Sequence, residues 1–76
     1  MATTSHDDAL SMWTVYRSPR DYPGKYVARR FELDRPTMDV IVDDALDNVR
    51  ALMERRGLYR LDRYPDDDPV IVEVWL

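Results

Sequence analysis

The chain has 76 residues, no cysteine and a formal net charge of −4 at pH 7. This length predicts one domain with a modest core, and the lack of thiols excludes disulfides and thiolate-bound metals as sources of extra stability. The acidic balance excludes broad electrostatic binding to nucleic acid or to an anionic membrane, because phosphate neutralisation needs an excess of Lys and Arg.

The first eleven residues, MATTSHDDALS, are predicted to form a disordered leader. They have neither a basic start nor an apolar run, so they do not match a secretion signal. Nowhere in the chain does an apolar stretch reach the length that spans a bilayer. These observations predict a soluble, cytoplasmic protein with a single domain over residues 12–76.

Two strands are predicted at the start of that domain, over Met12 to Arg17 and Lys25 to Leu33, because both are rich in aromatic and β-branched residues. The prolines and the glycine of SPRDYPG mark a turn between them, which predicts a hairpin. A second turn is predicted over residues 34–39. Val40 to Val42 fits either a short strand or an early helical turn, and the run of β-branched residues favours the strand.

The next segment, DDALDNVRALMERRG, predicts a helix over residues 43–57. Its apolar positions have the spacing of one buried helical stripe. Asp43 is placed to cap the start, and Gly57 is placed to end the helix in a left-handed conformation. The predicted stripe consists of Ala45, Leu46, Val49, Leu52 and Met53.

LYRLDR, from Leu58 to Arg63, and VIVEVWL, from Val70 to Leu76, are predicted as the last two strands. The acidic turn YPDDDP separates them. The order is therefore β-β-(β)-α-β-β. Consecutive hairpins indicate a mainly antiparallel sheet of four or five strands, so the predicted class is α+β with one helix on one face.

Both faces of this sheet are predicted to carry large apolar side chains, and one helix covers only one of them. Strict alternation places Ile71, Glu73 and Trp75 on one face of the last strand. An uncovered apolar face predicts an interface, so we expect a homodimer that stacks these faces or pairs the C-terminal strands edge to edge. In the alternative, the leader or the long turns fold over this face. The predicted contact residues are Trp13, Tyr16, Ile71 and Trp75, with Arg17 and Arg30 at the rim.

A second hypothesis is a single-stranded nucleic-acid module in the region from Tyr16 to Arg30, where tyrosines would stack bases and cations would meet phosphates. Alternation places Arg29 and Arg30 on opposite faces, and 15 acidic side chains compete for the cations. This pattern favours a turn and a strand over a nucleic-acid site. The candidate residues of the alternative are Tyr16, Arg17, Tyr22, Lys25, Tyr26 and Arg29.

No catalytic residue, metal site or cofactor is predicted. His6 is the single histidine, so the common zinc sites and nucleophile–base pairs cannot be built. The acidic run at residues 66–68 lacks the ligand spacing and the glycine of a calcium-binding loop. We therefore do not predict an enzyme.

The segments MWTVYRSPRDYPGKYVARRFE and DDPVIVEVWL together resemble a group of short, uncharacterised bacterial proteins. The resemblance covers most of the chain from Met12 onward. It implies a bacterial, cytosolic, single-domain protein and carries over no activity, ligand or catalytic residue. The function predicted from these observations is an accessory or regulatory protein that acts by protein–protein contact.

Overall fold

A computed structural model describes residues 11–76, which form a five-stranded sheet and one helix. The elements are β1 (Ser11–Arg17), β2 (Tyr26–Glu32), β3 (Arg35–Asp43), α1 (Leu46–Arg55), β4 (Arg60–Asp62) and β5 (Ile71–Trp75). The strand order is β3-β2-β1-β5-β4, and all four neighbouring pairs are antiparallel. The predicted α+β fold with a single helix is confirmed.

The predicted leader lies outside the described residues, except for Ser11, which is the first residue of β1. Within residues 11–76, no helix combines the length and the apolar character needed to cross a membrane.

The ambiguous third strand is real and longer than expected. The turn predicted over residues 34–39 was wrong in extent, because only Leu33 and Asp34 separate β2 from β3. Pro36 lies within β3. In an interior strand, a proline would remove one hydrogen bond from the ladder. Pro36 is tolerated because β3 lies at the edge of the sheet.

The β2–β3 turn holds a leucine in an unfavourable backbone conformation. The turn consists of Leu33 and Asp34. Leu33 has a φ of 58°, while Asp34 is not left-handed. Turns with a positive φ at the first of their two residues favour glycine there. Leu33→Gly is therefore expected to raise the free energy of unfolding by about 1 kcal/mol in urea titrations. Asp34→Gly is the matched control and should give no gain. Equal effects at the two positions would contradict this account of the turn.

The helix begins at Leu46, three residues after the predicted start. The N-cap is Ala45 and not Asp43 as predicted, although Asp43 Oδ1 accepts hydrogen bonds from the Ala45 N–H and from Asn48 Nδ2, each at 2.9 Å. These hydrogen bonds lower the pKa of Asp43. The residue before the helix is Ala45, which is extended and exposed, so it does not belong to the buried stripe.

The end of the helix matches the prediction. Gly57 is left-handed, with a φ of 78°. Its N–H donates to the Glu54 carbonyl at 2.9 Å, and the Leu58 N–H donates to the Met53 carbonyl at 3.2 Å. This pair of bonds is a Schellman motif, which satisfies carbonyls that the helix leaves free.

The core lies between α1 and one face of the sheet, called here the covered face. Val49 and Met53 of the helix have no exposed surface, and they belong to the same buried cluster as the two tryptophans of the sheet. Leu46 and Leu52 flank them and are partly buried. The buried core residues are Trp13, Val15, Ala28, Val49, Met53 and Trp75.

A bulge in β5 determines which side chains reach this core. Trp13 lies opposite Trp75 and Val15 opposite Glu73, but the register then shifts and Tyr16 lies opposite Ile71. Directly opposed residues point to the same face. Trp75 and Glu73 therefore lie on the covered face, whereas Ile71 lies on the other.

Candidate functional site

The sheet face opposite the helix, called here the open face, is mostly apolar. The described residues place no helix or second sheet over it. Val40, Val42 and Leu61 are 37%, 38% and 47% exposed, although each belongs to a strand. The strand register assigns to this face Met12, Thr14, Tyr16, Val27, Arg29, Phe31, Val40, Val42, Leu61, Ile71 and Val74.

The turn between β4 and β5 covers one part of the open face. Tyr64 and Asp67 of this turn line a cavity of about 350 Å³, together with side chains of β1, β4 and β5. The turn holds its shape because Asp67 Oδ2 accepts the Tyr64 N–H at 3.0 Å, and Arg63 Nη1 donates to the Asp67 carbonyl at 3.0 Å. The predicted alternative, in which a long turn folds over this face, therefore holds for this part of the face.

An ion pair occupies the middle of the open face. Arg29 pairs with Asp21, which belongs to the turn between β1 and β2. Tyr16 is the neighbour of Arg29 on this face. Burial raises the pKa of Tyr16, and the charge of Arg29 partly offsets that rise. The face therefore has a neutralised polar centre between two apolar margins.

Two of the predicted contact residues, Tyr16 and Ile71, lie on the open face and are half-buried. Trp13 and Trp75 do not, since they are 5% and 3% exposed beneath the helix. Their predicted place at an exposed contact is corrected: Trp13 and Tyr16 point to opposite faces of β1, and the bulge separates Ile71 from Trp75.

The two arginines predicted at the rim are also on the other side of the sheet. Arg30 lies opposite Trp13, and its Nε donates to Asp39 Oδ2 at 2.6 Å. Arg17 lies opposite Tyr26, with its guanidinium 5.8 Å from the centre of that ring. Neither arginine borders the open face.

The residues of the nucleic-acid alternative are not gathered into one basic surface. Lys25 pairs with Asp44 and Arg29 pairs with Asp21. Each cation is therefore partly neutralised by a neighbouring carboxylate. The tyrosines are also divided: Tyr16 lies on the open face and Tyr26 on the covered face.

A buried ion pair beneath the helix was not predicted from the sequence. Glu73 is 2% exposed, and Arg50 holds its carboxylate with two nitrogens, the shortest contact being Nη2 to Oε1 at 2.8 Å. Trp75 Nε1 donates to Oε2 at 2.9 Å, and Arg60 lies 3.8 Å away. Burial raises the pKa of Glu73, but the bonds from Arg50 and Trp75 outweigh it, so the net pKa is lowered.

The signal for this pair was the single acid within the apolar run VIVEVW. Arg50 lies outside the apolar stripe predicted for the helix. Because the Glu73 carboxylate is bonded by Arg50 and Trp75, its role is structural. A groove of about 570 Å³ lies beside it and is lined by Arg50, Glu54, Leu58, Tyr59, Arg60 and Trp75.

The fold and the open face together define a class: a small α+β domain with an apolar sheet face that, within residues 11–76, only the turns partly cover. Comparison with protein families, curated proteins and solved structures found no match to this chain. The resemblance to short bacterial proteins therefore stays a prediction.

Proposed function

We propose that this protein is a protein–protein interaction module, an accessory or regulatory factor, that acts as a homodimer through its open face. The observation that supports this proposal is the exposure of Val40, Val42 and Leu61 on a strand face that no other layer covers within residues 11–76. Apolar surface left exposed on a sheet face often marks an interface, and here it lies on the two margins of the open face, on either side of the Arg29–Asp21 pair.

The small core gives a second reason for a partner. All the buried apolar residues except Val27 belong to the cluster under the helix, so the open face contributes little to the core. A second copy would supply the missing layer and bury apolar area that a chain of 76 residues otherwise leaves in water.

The centre of the face is compatible with self-association. A two-fold contact brings identical residues of both copies near its axis. Arg29 carries its own counter-ion, Asp21, so two such centres meet as neutral pairs rather than as like charges. The same pairs can exchange partners across the contact.

The test is the solution mass, measured by light scattering over a dilution series. The wild type should form an assembly larger than one 9.0 kDa chain, and Ile71→Asp or the more exposed Leu61→Asp should halve its mass, because a buried unpaired carboxylate opposes contact. Tyr59→Asp changes an exposed residue beside the helix groove and should leave the mass unchanged. A wild type that stays a single chain at every concentration would sink the proposal.

Single-stranded nucleic-acid binding stays the alternative. Its support is weaker, because Lys25 and Arg29 already have carboxylate partners. It predicts binding to an oligonucleotide that weakens steeply as salt is added.

A further inference from the structure

The two edges of the sheet differ in length. At one edge β4 has three residues, and at the other β3 has nine. Within residues 11–76, the outer side of β3 pairs with no strand. Along it Met38 is 97% exposed, with Val40 and Val42 next to it on alternate positions. A long edge with unpaired backbone groups and apolar side chains is a template for another strand.

We propose that β3 pairs, antiparallel and edge to edge, with β3 of a second copy about a two-fold axis at Val40. This contact is separate from the open-face contact and does not depend on it. It adds a strand of the partner to each sheet, so that one continuous sheet of twice the width forms.

The ends of the available strand determine the register. Pro36 has no N–H, so it cannot donate to a new ladder. After Asp43 the chain leaves the sheet for the helix. The usable stretch is therefore residues 37–43, with Val40 in the middle; its first three residues form a bulge, where the register with β2 shifts. A two-fold axis at Val40 places every residue of this stretch opposite a residue of the same stretch in the second copy.

The side chains favour the same register. It places Met38 opposite Val42 and Val40 opposite its own copy, so the apolar residues meet. Asp39 lies opposite Ile41, and no two like charges face each other directly. A register one residue shorter, centred on Asp39, would bring two aspartates together and would place Pro36 inside the ladder.

This pairing extends the open face. Directly opposed residues of antiparallel strands point to the same side, so the open faces of the two copies become one surface. If the joined faces also stack, the edge axis and the stacking axis together produce a closed tetramer, an assembly of two-fold contacts only.

The test uses cysteine cross-linking, since the chain has no cysteine of its own. Opposed residues in an antiparallel pair have Cα atoms about 4.5–5.5 Å apart, which is within disulfide range. Val40→Cys should therefore cross-link to itself under mild oxidation at least about tenfold faster than Asp66→Cys in an exposed turn, because pairing raises the local thiol concentration.

The register has its own readout. Met38→Cys and Val42→Cys should cross-link slowly when each is alone and rapidly when the two chains are mixed, because residue 38 of one copy faces residue 42 of the other. Self-linking of Met38→Cys as fast as that of Val40→Cys would overturn the register. Val40→Cys that links no faster than Asp66→Cys would overturn the pairing itself.

Repeating the experiment with Ile71→Asp in every chain separates the two contacts. Edge pairing predicts that Val40→Cys still cross-links when the open-face contact is broken. If Val40→Cys fails while Ile71→Asp still halves the wild-type mass, the edge contact is wrong and the proposed function stands. If Val40→Cys links while Ile71→Asp leaves the mass unchanged, the open-face contact is wrong and the edge contact stands.

Discussion

Replacing Trp75 with alanine is expected to lower the free energy of unfolding by about 3–5 kcal/mol, the usual cost of deleting a large buried ring. Trp75 is 3% exposed and packs in the core with Trp13. A domain of this size has about 4–11 kcal/mol of stability in total. The variant should therefore be largely unfolded, or should unfold at low denaturant.

Urea titrations followed by far-ultraviolet circular dichroism measure this loss. Trp75→Phe keeps a ring but removes the Nε1–H bond to Glu73 Oε2, so a smaller loss of about 1–2 kcal/mol is expected. Leu76→Ala is the matched control, because Leu76 is the next residue and is 42% exposed. If Trp75 were an interface anchor instead, Trp75→Ala would give a folded chain with a lower mass.

Replacing Arg50 with methionine is expected to cost about 3–5 kcal/mol near pH 7, because it leaves the buried Glu73 carboxylate without its main partner. Methionine retains most of the apolar stem of Arg50, so lost packing contributes little. Trp75 and the more distant Arg60 still face the carboxylate but cannot replace two guanidinium nitrogens.

The pH dependence of this loss has a definite sign. In the wild type the pKa of Glu73 is lowered, so its contribution to stability is present above the unfolded pKa and is lost as the pH falls through the folded pKa. Without Arg50, burial dominates and the pKa of Glu73 rises. The carboxyl then protonates more readily, and the deficit of the variant should shrink as the pH falls toward the ordinary carboxyl range.

Urea unfolding at several pH values between about 7 and 4 tests this expectation for the wild type and Arg50→Met. Arg55→Met, an exposed position on the same helix, serves as the control and should change stability by less than about 0.5 kcal/mol. A deficit of the same size at every pH would argue against the Glu73 carboxylate as its cause. The double variant Arg50→Met, Glu73→Gln should recover part of the loss, since no buried charge then lacks a partner.

Several elements of the fold were predictable because their signals are local. The spacing of Val49 and Met53 indicated a buried helical stripe, and Gly57 indicated the end of the helix. The two strands on either side of SPRDYPG formed the expected hairpin. Residues 34–39 misled the prediction because a proline and two aspartates resemble a turn. Asp34 does lie in the turn, whereas Pro36 and Asp39 belong to an edge strand, which tolerates both.

The candidate surface was predicted only in part. A single helix against a sheet with apolar residues on both sides predicted that one face would have no covering layer, and Tyr16 and Ile71 lie on the open face. Trp75 was assigned wrongly, because alternation over VIVEVWL assumes a regular strand. A bulge is set by how two strands meet, and one strand's sequence does not reveal it.

By itself, the sequence determined the class of the fold, since hydrophobic period, turn residues and helix ends depend on neighbours along the chain. Only the tertiary structure decided which face each large side chain occupies, which strands form the edges, and that Glu73 and Arg50 meet under the helix. These features depend on register and strand order, which join residues as distant in sequence as Trp13 and Trp75. The open face and the β3 edge are products of that long-range arrangement.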